Sequence, residues 1–423
     1  MVKMVDCDTA FHNLRSGMNV YVQGIAMTPT PLLKALSAKA LGLTEVSLYH
    51  IHLEGPVPHL DPLLSGHLHD ISWFIGQNTR EYVDSGQASY LPLFLSDIPS
   101  FVQNNLPLDY ALIHVTPPDR HGFVSLGTSV ESALAAIRKA RVVVAAVNPM
   151  VPRTLGSAEI PASAITYGIW NARSLYTRDA APQDPVRRKI AAQVAALIPD
   201  RATLQLGIGA IPDLVLSMLA DHHDLGIHSE MISDSVVPLV RQGVITGRYK
   251  AMDRDRLVCT FAFGSQSLYD FMDNNPAVAM RPVDYTNDTA VIRRHPRMIS
   301  INSAVEVDLT GQVAAESVGR RMLSGVGGQM DFVRGSSLSP GGFSVIALPS
   351  RTSAGQPRIV PTLHPGAAVT TTRNHVQFVV TEYGVANLHG LSLAQRAQQL
   401  IGLAHPDDRD ALREAGRRQL TIH

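Results

Sequence analysis

Leu204-Gln205-Leu206-Gly207-Ile208-Gly209-Ala210-Ile211-Pro212, followed by DLVLSMLA (213–220), is the most informative stretch of the chain. A short apolar run enters a glycine turn, and a helical pattern with proline in its first turn leaves it: the strand, turn and helix of a parallel α/β sheet. The unit occurs twice. Gln23-Gly24-Ile25-Ala26-Met27-Thr28-Pro29 runs into LLKALSAKA (32–40), and glycine and proline stand five positions apart in both copies. Farther along, Asp119-Arg120-His121-Gly122-Phe123-Val124 after YALIHV is matched by Asp308-Leu309-Thr310-Gly311-Gln312-Val313 after MISINSAVEV, both spaced Asp-x-x-Gly-x-Val. Two matches in the same order point to duplicated α/β domains; the competing reading is a repeated coincidence of common turn chemistry.

Strand-length apolar runs alternate with helical patterns along the rest of the chain, at 46–53, 110–115, 142–147, 203–206, 257–263, 298–301, 345–348 and 377–380. This alternation predicts two similar open α/β domains with buried, largely parallel sheets. TRDAAPQDPVRRK (177–189) is polar, holds two prolines and has no apolar period, so it reads as a linker dividing residues 1–183 from 184–423.

At 423 residues with 45% hydrophobic and 17% charged side chains, the chain exceeds one core and is neither disordered, collagenous nor coiled coil. Thirty-six basic residues balance 36 acidic ones, so no overall field draws it to nucleic acid or an anionic membrane. An anionic ligand must be held locally. Cys7 and Cys259 stand alone, which excludes a disulfide framework and a cysteine zinc site. No signal-like N-terminus and no 18-residue apolar run is present, and a soluble cytoplasmic protein is expected.

The turn at Gly207–Ile211 aims backbone N–H groups and a helix N-terminus at one point, which suits a phosphate or an oxyanion. As a dinucleotide fingerprint it lacks the third glycine, replaced by Pro212, although Asp224 or Glu230 stands near the ribose-binding distance. A second cluster, Ser324-Gly325-Val326-Gly327-Gly328-Gln329-Met330-Asp331-Phe332-Val333-Arg334-Gly335, is dense enough in glycine to let a ligand or another backbone come close. Between the two clusters, Glu230 sits beside Met231 and Ile232, where a carboxylate is poorly solvated. It is either the cap of a helix starting near Asp234 or a reagent, acting as general base or nucleophile. Neither a Walker lysine nor a GxSxG elbow is present. His50-x-His52 and His67-x-His69 place imidazole pairs on one strand face, but no third ligand can be named and no metal is expected.

LQLGIGAIPDLVLS, LGIHSEMISDSVV, PVDYTND, SGVGGQMDFVRGSS, HPGAAVTTTRNHVQFVVTEYGVANLHG and RAQQLIGLAHP together resemble the acetyl-CoA hydrolase/transferase family, most nearly its 4-hydroxybutyrate CoA-transferase branch. The N-terminal half is similar more loosely, through Leu91 to Leu95 and VTPPDRHGF. The resemblance implies two domains facing across an active-site cleft, a homodimer, and no permanently bound cofactor. Its substrates would be coenzyme A as acyl-CoA and a small carboxylic acid. It places the acyl- and CoA-accepting glutamate at Glu230, the CoA loop at Gly207, Ile208, Gly209, Ala210 and Ile211 with Gly328, and the oxyanion donors at the Asn287 amide and the Gly327 N–H. A lysine that contacts CoA in some relatives is missing here, where Ala347-Leu348-Pro349-Ser350 stands instead. The acceptor acid is expected against Met27, Glu54 and Arg80, with His50 and His52 nearby.

The implied reaction moves CoA from acetyl-CoA, succinyl-CoA or a similar donor to a short acid such as 4-hydroxybutyrate, through a glutamyl-CoA thioester. An itaconate-type dicarboxylate acceptor and hydrolysis on the same glutamate remain open. A nicotinamide dehydrogenase and a non-catalytic acyl-CoA sensor are the remoter readings.

Overall fold

The computed structural model describes residues 2–179, 184–207 and 209–420. The chain forms two compact units that are discontinuous in sequence. The first runs to Asp179 and adds Val258–Thr286 and Leu323–Gly327; the second holds the residues up to Leu257, Asn287–Met322 and those from Gly328 onward.

The first unit is built on seven strands: β1 (Asn19–Val22), β2 (Val46–His50), β3 (Leu68–Ser72), β4 (Ala88–Tyr90), β5 (Tyr110–Val115), β6 (Val142–Val147) and β7 (Tyr167–Trp170). Their order is β4-β3-β2-β1-β5-β6-β7, and every pairing is parallel. All six residues of β5 are buried, which is why an unbroken apolar run rather than an alternating one marks it in the sequence. The second unit has β8 (Thr203–Leu206), β9 (Gly226–Ile227), β10 (Met298–Ser303), β11 (Phe343–Ala347), β12 (Phe378–Thr381) and β13 (Gly384–Asn387), in the order β9-β8-β10-β11-β12-β13. Only the closing β12–β13 pair is antiparallel. Two open α/β sheets thus stand where the sequence predicts them.

The duplication is visible in atomic detail. β1 and β8, the strands that feed the two glycine turns, hold the same place in their sheets, each between the next strand in the chain and the strand that carries the Asp-x-x-Gly-x-Val turn. In the first such turn Asp119 Oδ1 accepts from the N–H groups of His121 and Phe123 at 2.8 and 2.9 Å, and Gly122 has φ +81°. In the second Asp308 Oδ1 accepts from Thr310 and Gln312 at 2.9 and 3.0 Å, and Gly311 has φ +90°. The aspartate ties down two donors and the glycine takes the left-handed conformation, so the spacing is fixed by geometry.

Two expectations need correction. The end of the 177–189 stretch is not linker: Pro185–Ala195 is a helix, with Asp184 accepting from the Arg187 N–H at 2.9 Å and proline at the first helical position. Asp-Pro ahead of an apolar face is a helix start, and Ile190, Ala191 and Val194 are that face. The expected boundary at 183 lies outside the described residues. The run 257–263 also divides, into short strands Leu257–Cys259 and Phe261–Ala262.

Candidate active site

In the second unit, parallel pairing with β8 carries the chain through β9 to Glu230. His228 N–H donates to the Leu204 carbonyl at 3.0 Å, and Ser229 Oγ exchanges bonds with the N–H and carbonyl of Leu206, both at 3.3 Å. Glu230 therefore emerges just past the C-terminal end of β8, where the Gly207 turn begins. Ligands of open α/β sheets bind at such carboxyl ends. Glu230 does not cap the helix Val236–Arg241, which follows Ser235 without a side-chain cap. Its Oε2 instead accepts from Asn287 Nδ2 at 3.1 Å, and its carboxylate also accepts from the Gly328 N–H. The same Asn287 nitrogen donates to Asp331 Oδ2 at 3.2 Å, and Asn287 is fully buried.

Desolvation pushes the Glu230 carboxyl above its ordinary value, and the bonds from Asn287 and Gly328 offset this only in part. A carboxylate of raised proton affinity is also the better nucleophile once ionised. Glycine is required at 328 by close approach: a Cβ there would lie 2.0 Å from Glu230 Oε2 and 2.1 Å from Asn287 Nδ2. Gly328 precedes the helix Gln329–Ser337, so its N–H comes from the positive end of that helix.

Around the first glycine turn, Gly207 N–H donates to the Ile301 carbonyl at 2.8 Å, and Asn302 and Gln205 exchange amide bonds at 3.1 and 3.2 Å beneath it. Gly209, at φ +143°, ends the turn and starts the helix Ala210–Ser217 with no side-chain cap, leaving the first-turn N–H groups of Ala210 and Ile211 to other acceptors. Ile208 lies outside the described residues. Ser350 donates through N–H and Oγ to Glu382 at 2.9 and 2.6 Å.

The remaining expected residues belong to the first unit. Gly327 has φ +56° and its carbonyl accepts from the Leu95 N–H at 3.1 Å, while Val326 N–H reaches Tyr90 Oη at 3.3 Å. Arg80 Nε donates to the Leu323 carbonyl at 2.6 Å, so one guanidinium pins the start of this glycine segment. Met27 is fully buried, and its sulfur lies 2.9 Å from where a Cβ on Gly127 would stand. His52 stacks on Phe74 and pairs with Glu54 at 2.9 Å. Glu131, which no motif marked, accepts from the Gly24 N–H at 3.0 Å and Ser129 Oγ at 2.8 Å, holding the turn that ends at Met27.

The two imidazoles of each His-x-His pair bond to different partners. His50 Nε2 bonds Asp70 Oδ2 at 2.7 Å, and His59 Nε2 bonds the same oxygen at 2.8 Å, with all three residues buried. His69 bonds Ser89, and His67 the Leu43 carbonyl. His50, His59 and Asp70 are the group of metal-ligating type that converges among the described residues, and its distances are those of direct hydrogen bonds.

The chain is similar to known proteins over nearly its whole length. A family model described as the acetyl-CoA hydrolase/transferase N-terminal domain matches residues 2–172, and that of the corresponding C-terminal domain matches 264–416. A succinyl-CoA:acetate/propanoyl-CoA:succinate CoA transferase of Fasciola hepatica is 45% identical over 98% of this chain and 88% of its own. A 4-hydroxybutyrate coenzyme A transferase of Clostridium kluyveri is 43% identical over 97% of this chain and 96% of its own. Among solved structures, a 4-hydroxybutyrate CoA-transferase from Porphyromonas gingivalis superposes with TM-score 0.85 at 36% identity, covering 99% of this chain and 98% of that one. RipA from Yersinia pestis does so with TM-score 0.93 at 34% identity and the same coverage.

Proposed function

This chain belongs to the acetyl-CoA hydrolase/transferase family and is a CoA-transferase, and from that premise we propose that it works by a ping-pong route through a thioester on Glu230. The observation that carries this reading is one desolvated carboxylate held by two uncharged N–H donors at the end of β8.

A Glu230 carboxylate oxygen attacks the acyl-CoA carbonyl, the C–S bond breaks, and the products are a mixed anhydride and CoA thiolate. The thiolate attacks the glutamyl carbonyl, the anhydride C–O bond breaks, and the donor acid leaves Glu230 as its CoA thioester. The acceptor carboxylate then retraces both steps. Asn287 and Gly328 touch the oxygens of Glu230 itself, so they are in place for the oxyanion that forms on the glutamyl carbon at each exchange. The Gly327 N–H, beside Gly328 in sequence, is assigned to the same task with Asn287. Gly207, Gly209, Ala210 and Ile211, with Ile208, are assigned to CoA, whose phosphates suit the uncapped helix start.

For the acceptor we propose Met27, Glu54 and Arg80, the last with its Nε already bonded to the Leu323 carbonyl. The Clostridium relative's name supports 4-hydroxybutyrate as acceptor, and the Fasciola relative's name keeps succinate and other dicarboxylates in contention. Water excluded from the anhydride separates transfer from hydrolysis. No helix among the described residues is long and apolar enough to cross a membrane; we propose a cytoplasmic location from the sequence composition and a homodimer from the family resemblance, and light scattering checks the dimer.

The test is mass spectrometry of the Glu230 peptide after incubation with acyl-CoA alone, which should show a CoA adduct. Asn287→Ala should lower kcat by about 10²–10³-fold with little change in KM for acyl-CoA. An unmodified Glu230 peptide in active enzyme would overturn the route.

A further inference from the structure

Asp331 stands at the third position of the helix Gln329–Ser337, where an acid ordinarily points to solvent and complements the helix N-terminus. Here it is 6% exposed, and its Oδ2 lies 3.2 Å from the Asn287 nitrogen that is also 3.1 Å from Glu230 Oε2. A primary amide has two N–H bonds, one for each carboxylate. Ionised carboxylates only accept, so turning the amide over would set its oxygen against two anions. Among the described residues the buried Asn287 Oδ1 has no hydrogen-bond partner, so nothing on the oxygen side holds the group.

We propose that Asp331 is a positioning residue that locks the Asn287 amide with its nitrogen toward Glu230 throughout the catalytic cycle. The proposal rests on the reading of Glu230 as the group that carries acyl and CoA. Its physical content is a change of charge. As the attacking carboxylate, Glu230 orients the amide unaided. As anhydride or thioester it offers a neutral carbonyl, a weaker acceptor, just before the amide must meet the next oxyanion. The amide torsion is soft and nearly two-fold, so the second carboxyl, which takes no part in the covalent exchange, keeps the donor presented. Gly328 needs no such lock, because its N–H is fixed by the backbone.

The experiment is a double-mutant cycle on the full-length enzyme, measuring kcat and KM for Asp331→Ala, Asn287→Ala and the double variant. Asp331→Ala should lower kcat by roughly 10–100-fold, part of what the whole donor supplies, with KM for acyl-CoA within about twofold. In the Asn287→Ala background the same change should cost less than about twofold, since there is no amide left to orient. Asp331→Asn, which keeps the shape and one acceptor, should fall between and provides the cycle if the alanine variant does not fold. Equal factors in both backgrounds, a loss confined to KM, or full activity in both Asp331 variants would overturn the proposal. Glu230→Gln assayed alongside separates the two readings: transfer surviving in that variant rejects the glutamyl route, while coupling between 287 and 331 is read independently.

Discussion

Glu230 and Asp70 are both carboxylates withdrawn from water and held by two nitrogen donors, and the protein handles them in opposite ways. At Asp70 burial pushes the carboxyl up, but the attraction and hydrogen bonds of His50 and His59 outweigh it and hold the group below the ordinary carboxylate range. At Glu230 the donors are an amide and a backbone N–H, burial prevails, and the carboxyl is raised. A carboxylate paired with titratable bases is quietened and becomes a strut for the loop carrying His59. One that faces only dipoles keeps its basicity, and those dipoles serve equally for an oxyanion on the same carbon. Glu131 is raised by burial too, but its Oε1 is engaged by the Gly24 N–H and the Ser129 hydroxyl in holding a turn.

The most severe break of the contrast is Glu230→Gln. Transfer should fall below roughly a hundredth of the parent rate, because an amide is a poor nucleophile. Stability should move the other way. A carboxyl raised on folding binds protons more tightly in the native state, so its contribution falls as pH climbs from the ordinary value through the raised one. Above that raised value the ionised Glu230 is therefore a cost that glutamine avoids, and thermal unfolding there should occur at an equal or higher temperature. A lower melting temperature in an inactive variant would recast Glu230 as structural.

Asp70→Ala should do the reverse, costing about 3–5 kcal/mol by leaving two buried imidazoles unpaired. The folded fraction should keep its kcat. Asp70 has a depressed carboxyl, so its contribution is present above the ordinary value of 3.8 and is lost as pH falls through the lower folded one. Urea unfolding at neutral pH and at pH below 4 measures both; a variant as stable as the parent at neutral pH would show that the pair merely breaks even.

Gly328→Ala comes next. Its methyl would overlap the Glu230 and Asn287 contacts at 2.0 and 2.1 Å, and moving them apart should cost kcat about 10²–10³-fold, the value of a lost oxyanion donor. Stability should change less than in Asp70→Ala, because the flexible end of Glu230 can swing aside. Wild-type kcat would remove Gly328 from the donor set.

The sequence made these two carboxylates unequally legible. Both sheets could be read because buried parallel strands are nearly unbroken apolar runs, as at 110–115 and 203–206, and each begins a repeated turn. Glu230 stood out because it is an acid placed among apolar residues between two glycine clusters. Asp70 did not, since its partners His50 and His59 lie 20 and 11 residues away and meet it only through strand pairing and a one-turn helix. Asp331 was visible as an acid between glycines, but its bond to Asn287 spans 44 residues and two elements, which no local pattern encodes. The helix at 185 was hidden by its own start signal, because Asp-Pro in a polar run reads equally well as a linker.

The gentlest probe is Arg80→Met, and it asks whether a cation on the acceptor side follows the rule drawn from Asp70. Were Arg80 to pair with the second carboxylate of a dicarboxylic acceptor, its loss would penalise dicarboxylates and spare acetate or butyrate. Its Nε, however, is already committed to the Leu323 carbonyl at 2.6 Å, at the head of the segment that leads through Gly327 to Gly328. On the proposed reading that segment serves every turnover whatever the acid, so the expected result is a uniform drop in kcat/KM of roughly tenfold, about 1.4 kcal/mol, across acetate, butyrate, 4-hydroxybutyrate and succinate. Arg80→Lys should recover little of it, because an ammonium on a flexible stem does not reproduce the fixed direction of the guanidinium N–H. A loss restricted to succinate and 4-hydroxybutyrate would reverse the assignment, making Arg80 a selector of acceptors through its remaining N–H groups and leaving the glycine segment to be held by Tyr90 and Leu95.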